Sequence, residues 1–406
     1  MTSQDISKLF GIPGFRVSSS EPLFDESGDA PTMVVELFRE RPVYHCRCGR
    51  EFACYYDGDF REVRDLSFGE WQTSLLFFQV RVECPDCGVV TESLEWVEKG
   101  QRCTWRFARY VADLCRLTSV SAVARHLGLD WKTVKRLDKQ ALERELNPPK
   151  LDGLRILAMD ELAIRKGHHY ATSVVNFETG AIVWSGLDRK EDTVNRFYTL
   201  LGKERCAAIE AVAMDMWEPF IQATRAHCPQ AEIVYDEFHI LSGMSKVIDA
   251  VRNAEAKRAP DSRREVFKGT KYLLLRNRRD VRGNKRVRLN ELLSLNKRLN
   301  TVYVLKEDLK QLWKYKSPAA AWDFFQGWYR RTIYSKIEPL KKFARMLWNH
   351  WDGIVAHCRY PIHTSLLEGM NNTAKVIKRV AYGFHDPEYF FLKLRAAFPG
   401  RQSDNT

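Results

Sequence analysis

Two closely spaced cysteine pairs place the tightest constraint on how the first hundred residues can fold. They lie in Cys46-Arg47-Cys48-Gly49 and in Cys84-Pro85-Asp86-Cys87-Gly88. Four thiolates on neighbouring turns suit tetrahedral zinc, and a glycine after each pair fits a tight turn with positive φ. The first pair is irregular, because one residue separates its cysteines, and His45 is an alternative fourth ligand to Cys46. The pattern predicts one structural Zn²⁺ in a closed site with no catalytic role.

The length and charge of the chain indicate a multidomain protein that binds a polyanion. It has 406 residues, which exceeds one ordinary domain, and a formal net charge of +12. No apolar run is long enough to span a bilayer, and Met1–Phe10 lacks the features of a signal peptide. We therefore expect a cytoplasmic protein with no membrane partner. In that reducing compartment the 10 cysteines favour metal binding over a disulfide framework.

The positive charge is concentrated in residues 240–300. This segment holds 17 Lys and Arg against 6 Asp and Glu, which nearly accounts for the net charge of the whole chain. A long basic run with few acids is typical of a surface that contacts nucleic-acid phosphates. The alternative is a solvated helical face. We single out Arg278, Arg279 and Arg282 as predicted DNA contacts.

Changes in pattern along the chain indicate four segments. Asn147-Pro148-Pro149 breaks a helical pattern and marks a domain boundary. The predicted segments are a loose N-terminal arm at 1–40 with a short strand near its end, a zinc-binding module at 41–100, a helix-turn-helix domain at 103–146, and an α/β domain at 151–395.

A helix-turn-helix is predicted between the zinc-binding module and the Pro-Pro break. Residues 119–127 have helical periodicity, Gly128-Leu129 forms a short turn, and Asp130 caps a second helix over residues 131–142. Lys135 and Arg136 lie on the open side of this second helix, where a DNA-reading helix presents its side chains.

The segment after Pro149 has an α/β pattern. Short apolar runs alternate with helical stretches, and Glu178-Thr179-Gly180 is a hairpin turn signal. The predicted strands cover residues 154–159, 170–176, 181–184, 208–214 and 232–235, with helices at 191–201 and 217–227. From Phe238 to about Val355 the pattern is helical throughout.

Two acids follow apolar runs in this segment. Asp160 is expected to end the first strand and Asp215 a later one, 55 residues on. Acids at strand ends are often only caps. Together, however, they suit Mg²⁺, which prefers oxygen ligands. Two such ions roughly 4 Å apart can activate a water or a 3′-hydroxyl at a phosphorus centre.

A third acid, Glu368, stands at the start of a polar helical face. Helical spacing places Asn371, Asn372 and Lys375 on or near the same face. Its basic continuation, Lys375, Lys378 and Arg379, suits a DNA backbone. The alternative is a solvated helix face.

Several blocks in this order resemble the DDE transposases of bacterial insertion sequences, in particular the ISL-three family. They extend over about residues 40–395 and also include the cysteine pairs with Val63-Arg64-Asp65-Leu66 between them. In the second half of the chain the blocks are Ala158-Met159-Asp160-Glu161 with Arg165-Lys166-Gly167-His168-His169-Tyr170, Val212-Ala213-Met214-Asp215-Met216, Val234-Tyr235-Asp236-Glu237-Phe238-His239, and Glu368-Gly369-Met370-Asn371-Asn372 through Tyr382-Gly383-Phe384.

The resemblance implies a function and a site. It implies a metal-binding triad of Asp160, Asp215 and Glu368, an RNase H-like fold, and a helical insertion at about 240–355. It also implies strand cleavage and transfer at element ends, with two Mg²⁺ or Mn²⁺ ions, in a bacterial, nucleoid-associated protein that binds double-stranded DNA as a homo-oligomer. Asp236 and His239 either contact the site or DNA, or only pack and cap a helix. The alternatives are a nuclease of the same fold and a non-catalytic DNA-binding regulator.

Overall fold

The structure is a computed structural model that describes residues 3–18, 23–25, 31–165, 169–260, 264–362 and 365–401. The chain divides into two compact units, Met1–Asn147 and Pro148–Thr406. Residues 166–168 of the quoted family block lie outside the described residues. Among the helices that are described, none is long and apolar enough to cross a membrane.

The first unit is built on a six-stranded sheet. β3 pairs with β7 in parallel, and β6 and β8 pair with β7 in antiparallel fashion. A separate two-stranded ribbon, β4–β5, carries the first cysteine pair at its turn. The bounds are α1 Ser3–Phe10, β1 Phe15–Val17, β2 Leu23–Asp25, β3 Thr32–Arg39, β4 Tyr44–His45, β5 Glu51–Phe52, β6 Asp57–Arg64, β7 Gln72–Cys84 and β8 Gly88–Thr91.

The expectation of a loose N-terminal arm is wrong for the described part of residues 1–40. Phe10, Phe15 and Val17 are buried in one cluster with Val35 and Phe77. β1 and β2 both pair with β3, which itself pairs with β7. The short strand expected near the end of this segment is β3, whereas the polar and glycine-rich composition concealed β1 and β2, which pair with it.

The helix-turn-helix follows directly from this sheet. α2 Trp105–Leu117 packs against α3 Val120–Leu127 and α4 Trp131–Glu145 around a small core. Buried Asp65 joins sheet and helices: it accepts hydrogen bonds from Thr104 Oγ1 and Arg106 Nε, both at 2.7 Å. This contact gives a physical reason for the Val63-Arg64-Asp65-Leu66 block noted in the sequence.

The second unit is built on a five-stranded mixed sheet with the order β11-β10-β9-β12-β13. The first three strands are antiparallel, whereas β12 is parallel to both β9 and β13. The bounds are β9 Ile156–Arg165, β10 His169–Asn176, β11 Ile182–Leu187, α5 Glu191–Leu201, α6 Lys203–Ala207, β12 Ala211–Met214, α7 Glu218–His227 and β13 Glu232–Tyr235.

Two strand boundaries differ from the sequence expectation. β9 continues to Arg165, so Asp160 lies inside the strand and not at its end. The apolar run alone suggested an earlier stop, but pairing with β10 continues past Asp160 to Arg165. β12 begins at Ala211, because a turn after the end of α6 at Ala207 occupies residues 208–210.

A helical segment follows β13, as the sequence predicts. Its bounds are α8 Glu237–Arg258, α9 Lys271–Leu275, α10 Asn284–Leu295, α11 Lys297–Leu309, α12 Pro318–Ile333, α13 Glu338–Asn349 and α14 Trp351–Val355. Large apolar side chains, including Tyr303, Phe325 and Trp328, are fully buried there and share one core with the sheet. The chain then returns as α15 Ser365–Val380 and α16 Pro387–Ala397.

Candidate functional site

Asp160 and Asp215 lie beside each other on neighbouring parallel strands. Ala158 of β9 is opposite Ala213 of β12. Two residues further along each chain come Asp160 and Asp215, so the pairing register places both acids at the same level of the sheet. Asp160 is buried and Asp215 is partly buried. The fold thus brings together two of the three acids of the predicted triad.

A third aspartate continues this row. Met214 of β12 is opposite Tyr235 of β13, which places Asp236 level with Asp215. Asp236 caps α8 by accepting a hydrogen bond from the backbone N–H of Phe238 at 2.7 Å. Its other carboxylate oxygen lies 3.0 Å from His239 Nδ1. Asp236 therefore caps a helix, as one alternative expected, and also belongs to the acidic cluster.

His239 joins two of these aspartates. Its Nδ1 contacts Asp215 Oδ1 as well as Asp236 Oδ2. Ligand atoms of the three residues lie within 4.8 Å of one another, a spacing at which they can share a metal ion. Burial alone would lower the pKa of His239, but its hydrogen bonds to Asp215 and Asp236 outweigh burial and raise the pKa to about 10.

Burial and neighbouring negative charge destabilise the ionised carboxylates of Asp160 and Asp215. Burial, reinforced by the negative charge of Asp215, raises the pKa of Asp160 to about 6. Burial also raises the pKa of Asp215, against the opposing hydrogen bond of His239. Carboxylates held together away from water destabilise one another's ionised forms, and a bound cation relieves that repulsion. The donor set consists of hard oxygen ligands and fits a divalent ion such as Mg²⁺.

Glu368 lies near this row but does not touch it in the structure. One turn further along α15, the side-chain amide of Asn371 donates a hydrogen bond to Asp160 Oδ2. Lys378 Nζ also donates to the carbonyl oxygen of Ala163 at 2.7 Å, so α15 lies along β9. Glu368 itself is exposed, and no hydrogen bond or ion pair among the described residues joins it to Asp160 or Asp215.

An aromatic cluster beside the acids was missed in the sequence. The guanidinium carbon of Arg189 lies 4.3 Å from the ring centroid of Tyr170 and 4.6 Å from that of Trp217. Arg189 also pairs with Glu161 at 2.7 Å. The only sequence signal was a tryptophan two residues after Asp215, and the arginine comes from a distant loop that no spacing rule connects to it.

The four paired cysteines of the zinc-binding module converge. Sulfur atoms of Cys46, Cys48, Cys84 and Cys87 lie within 4.8 Å of one another. His45 is exposed and pairs weakly with Glu51 at 3.8 Å instead. The geometry therefore favours Cys46 as the fourth ligand. All four donors are soft sulfurs, which fits zinc.

The glycines and an ion pair shape the two cysteine turns. Gly49 and Gly88 have φ values of 88° and 70°, which L-residues with a side chain rarely adopt. Arg50 of the first turn pairs with Asp86 of the second at 2.6 Å. The turns are thus held facing each other by contacts outside the sulfur cluster.

The helix-turn-helix has the predicted local structure. Ser119 caps α3, Gly128 takes the left-handed conformation at its end, and Asp130 caps α4. Arg136 is exposed, yet its guanidinium binds the side chains of Gln101 and Gln140. Lys135 is half-buried. Trp131 and Lys132, which the sequence prediction passed over, are the exposed side chains in the first turn of α4.

The predicted backbone-binding residues lie on two helical surfaces of the second unit. Arg278, Arg279 and Arg282 are all exposed between α9 and α10. On α15, Lys375 and Arg379 are exposed, whereas the amine of Lys378 is bound to the carbonyl of Ala163. The structure thus leaves five of these six cations exposed at the protein surface.

Comparisons with known proteins identify the class. Residues 157–394 match the family model of the ISL3 DDE domain, described as "Transposase". Residues 92–142 match a model described as "Helix-turn-helix domain of transposase family ISL3". The chain therefore belongs to the ISL3 family of DDE transposases of insertion sequences.

Individual relatives agree with this assignment. The chain is 43% identical over 358 residues to the transposase for insertion sequence element IS1001 of Bordetella parapertussis, covering 87% of this chain and 88% of that one. It is 26% identical over 394 residues to the transposase for insertion sequence element IS1557 of two Mycobacterium tuberculosis strains, CDC 1551 / Oshkosh and ATCC 25618 / H37Rv, covering 90% of this chain and 88% of each relative.

Proposed function

We propose that this chain cuts DNA at the ends of its own insertion sequence and joins them to a target, with Asp160, Asp215 and Glu368 as ligands of two divalent ions. The observation that carries the proposal is the pair of aspartates at one level of the sheet, buried Asp160 within β9 and partly buried Asp215 directly after β12. Burial raises the pKa of both carboxyl groups, and neighbouring negative charge raises it further. Family membership supplies the expected reaction class.

The protein groups have separate tasks in this proposal. Bound Mg²⁺ or Mn²⁺ supplies a polarised phosphate oxygen and a more acidic water or 3′-hydroxyl. Asp160 and Asp215 hold the ligand positions, and Asn371 orients the Asp160 carboxylate through its amide. His239 donates to Asp215 Oδ1, which fixes the rotamer of that carboxylate.

Glu368 is the least secured member of the proposed triad. Support for it comes from α15, since Asn371 on the next turn reaches Asp160. A glutamate on this exposed helix end has three side-chain torsions with which to approach the acids. Asp236 is the competing third ligand, because its carboxylate already belongs to the cluster of Asp215 and His239.

The catalytic domain is, in this proposal, an RNase H-like fold with a helical insertion. Support comes from the five-stranded mixed sheet with acids on β9 and after β12, and from the helical segment between β13 and α15. Placing acids on the central strands fixes their spacing by the hydrogen-bonded register and not by loop conformation. Such rigidity suits a site that must hold two cations at short distance.

The zinc-binding module and the helix-turn-helix serve DNA-end recognition in this proposal. One Zn²⁺ bound by Cys46, Cys48, Cys84 and Cys87 stabilises the first unit, and α4 enters the major groove. Lys135 and Arg136 contribute there, together with Lys132 at the start of the helix. Arg278, Arg279, Arg282, Lys375, Lys378 and Arg379 contact phosphates and position the duplex.

A cleavage and joining assay on labelled element ends tests the function. Purified protein with the repeats that flank its gene, in Mg²⁺ or Mn²⁺, should nick the ends and also join them to a second DNA. Nicking without joining would favour the nuclease alternative. Binding of the ends with neither reaction would favour a non-catalytic regulator.

A further inference from the structure

An open pocket of about 330 Å³ lies beside Asp215 in the second unit. Its lining includes Tyr170, Asp188, Lys190, Glu191, Trp217 and Pro219. The backbone N–H of Trp217 donates to the carbonyl oxygen of Asp215 at 2.7 Å. The pocket is therefore attached to one of the proposed ligand residues by two peptide units and a hydrogen bond.

The side chains of this pocket that could recognise a ligand have planar groups. The guanidinium of Arg189 lies over the rings of Tyr170 and Trp217. The indole N–H of Trp217 donates to the carbonyl oxygen of Arg189 at 3.0 Å, which fixes the ring. Trp217 nevertheless keeps 38% of its surface exposed. A large aromatic ring held rigid with an exposed surface is a stacking platform, because little entropy is lost when a second ring packs on it.

Both cations that line the pocket are paired with acids, which limits the ligands it can bind. Arg189 is bound to Glu161 at 2.7 Å, and Lys190 lies 3.5 Å from Asp188. A phosphate would compete with both carboxylates for these cations. An uncharged planar group faces no such competition and gains stacking energy from the exposed indole of Trp217. The pocket therefore fits a nucleobase better than it fits a phosphate.

We propose that this pocket receives an unpaired base of the DNA next to the bond that is cut. This inference rests on the proposed function, since DNA is taken as the substrate of the adjacent acids. The faces of bases inside a duplex are covered by the neighbouring stacked bases, so a base can stack on Trp217 only after it leaves the helix. Holding it there draws its neighbouring phosphate toward Asp215 and keeps the end from re-pairing.

Fluorescence of 2-aminopurine tests the proposal on the full-length zinc-bound protein without added Mg²⁺ or Mn²⁺, so that no cutting is expected. Two probes are used: a single-stranded oligonucleotide carrying one 2-aminopurine, and element-end duplexes carrying it at successive positions around the cleaved bond. The concentration for half-maximal fluorescence change should rise about tenfold in Trp217→Ala. Trp217→Phe and Arg189→Lys should lie between this variant and the native protein.

The matched control is Tyr334→Ala, because Tyr334 is an aromatic side chain of the same unit that is 78% exposed and far from the acids in sequence. It should behave like the native protein, and circular dichroism should show all variants folded. Identical signals from native protein, Trp217→Ala and Trp217→Phe on both probes would overturn the proposal. If the protein fails to bind or cut element ends, yet the single-strand signal still depends on Trp217, the proposed function fails and the pocket assignment stands.

Discussion

The side-chain amide of Asn371 donates a hydrogen bond to the carboxylate of Asp160. This bond connects α15 to the interior of β9 across 211 residues of sequence. The hydrogen bond therefore connects the helix that contains Glu368 to the strand that contains Asp160. It also opposes the effects of burial and of Asp215, which raise the pKa of Asp160.

Loss of this amide should weaken cleavage without abolishing DNA binding. In Asn371→Ala the buried Asp160 carboxylate loses a hydrogen bond, a loss of about 1–3 kcal/mol. We expect cleavage of element ends to slow roughly tenfold to a hundredfold, with end binding near native. Asn372→Ala is the matched control, because Asn372 is exposed on the same helix. Equal rates for both variants would show that Asn371 has no positioning role.

Removing one charge from the proposed triad should stop the chemistry. Asp160→Asn, Asp215→Asn and Glu368→Gln each keep side-chain size while removing a ligand charge, and we expect losses on the order of a thousandfold, or ~4 kcal/mol. Double variants should lose little more, since the ligands act as a unit. Cleavage and binding are measured on the same preparations. Asp323→Asn and Glu204→Gln, two exposed acids of the same unit, are the controls.

Asp236→Asn decides between the two candidates for the third ligand. Asparagine caps helices as well as aspartate does, so α8 should keep its start while only the charge is lost. We expect reduced but measurable cleavage for Asp236→Asn and none for Glu368→Gln. The reverse result, with Glu368→Gln cutting at the native rate, would place Asp236 in the metal site instead.

Zinc removal should unfold the first unit. Cys46→Ser and Cys87→Ser should each lose bound zinc, measured by metal analysis of the full chain, because structural zinc contributes on the order of 10 kcal/mol of apparent free energy. His45→Ala should retain about one zinc per chain. A fragment of residues 40–100 is unsuitable for this test, because it lacks β3, the parallel partner of β7. Zinc loss from His45→Ala alone would reverse the ligand assignment.

Sequence specificity and general affinity for DNA should depend on different regions of the protein. Lys132→Ala and Lys135→Ala should reduce discrimination between element ends and unrelated DNA, because α4 is the proposed groove helix. Arg279→Ala should weaken binding to any DNA and lower the slope of log affinity against log salt by about 1. Titrations at several salt concentrations measure both quantities. Parallel effects of all three variants on every sequence would contradict the division.

The local elements of this protein could be predicted from sequence. Gly128 and Asp130 defined the turn and second-helix cap of the helix-turn-helix, and the turn signal before Ala181 defined the β10–β11 hairpin, because caps and turns depend on a few adjacent residues. Both cysteine turns could be found for the same reason. The Pro-Pro break likewise coincides with the division after Asn147.

Relationships between distant residues were decided only by the tertiary structure. Strand pairing continues β9 beyond Asp160, and it places Asp236 in the same row as Asp215, which no local pattern encodes. The described part of residues 1–40 contributes β1, β2 and β3 to the sheet, because β3 pairs with β7 and the other two strands pair with β3. Arg189 contacts Trp217 because the two loops that contain these residues pack together. The sequence by itself determined the candidate acids and cysteines, whereas hydrogen-bonded register and packing determined which of them meet.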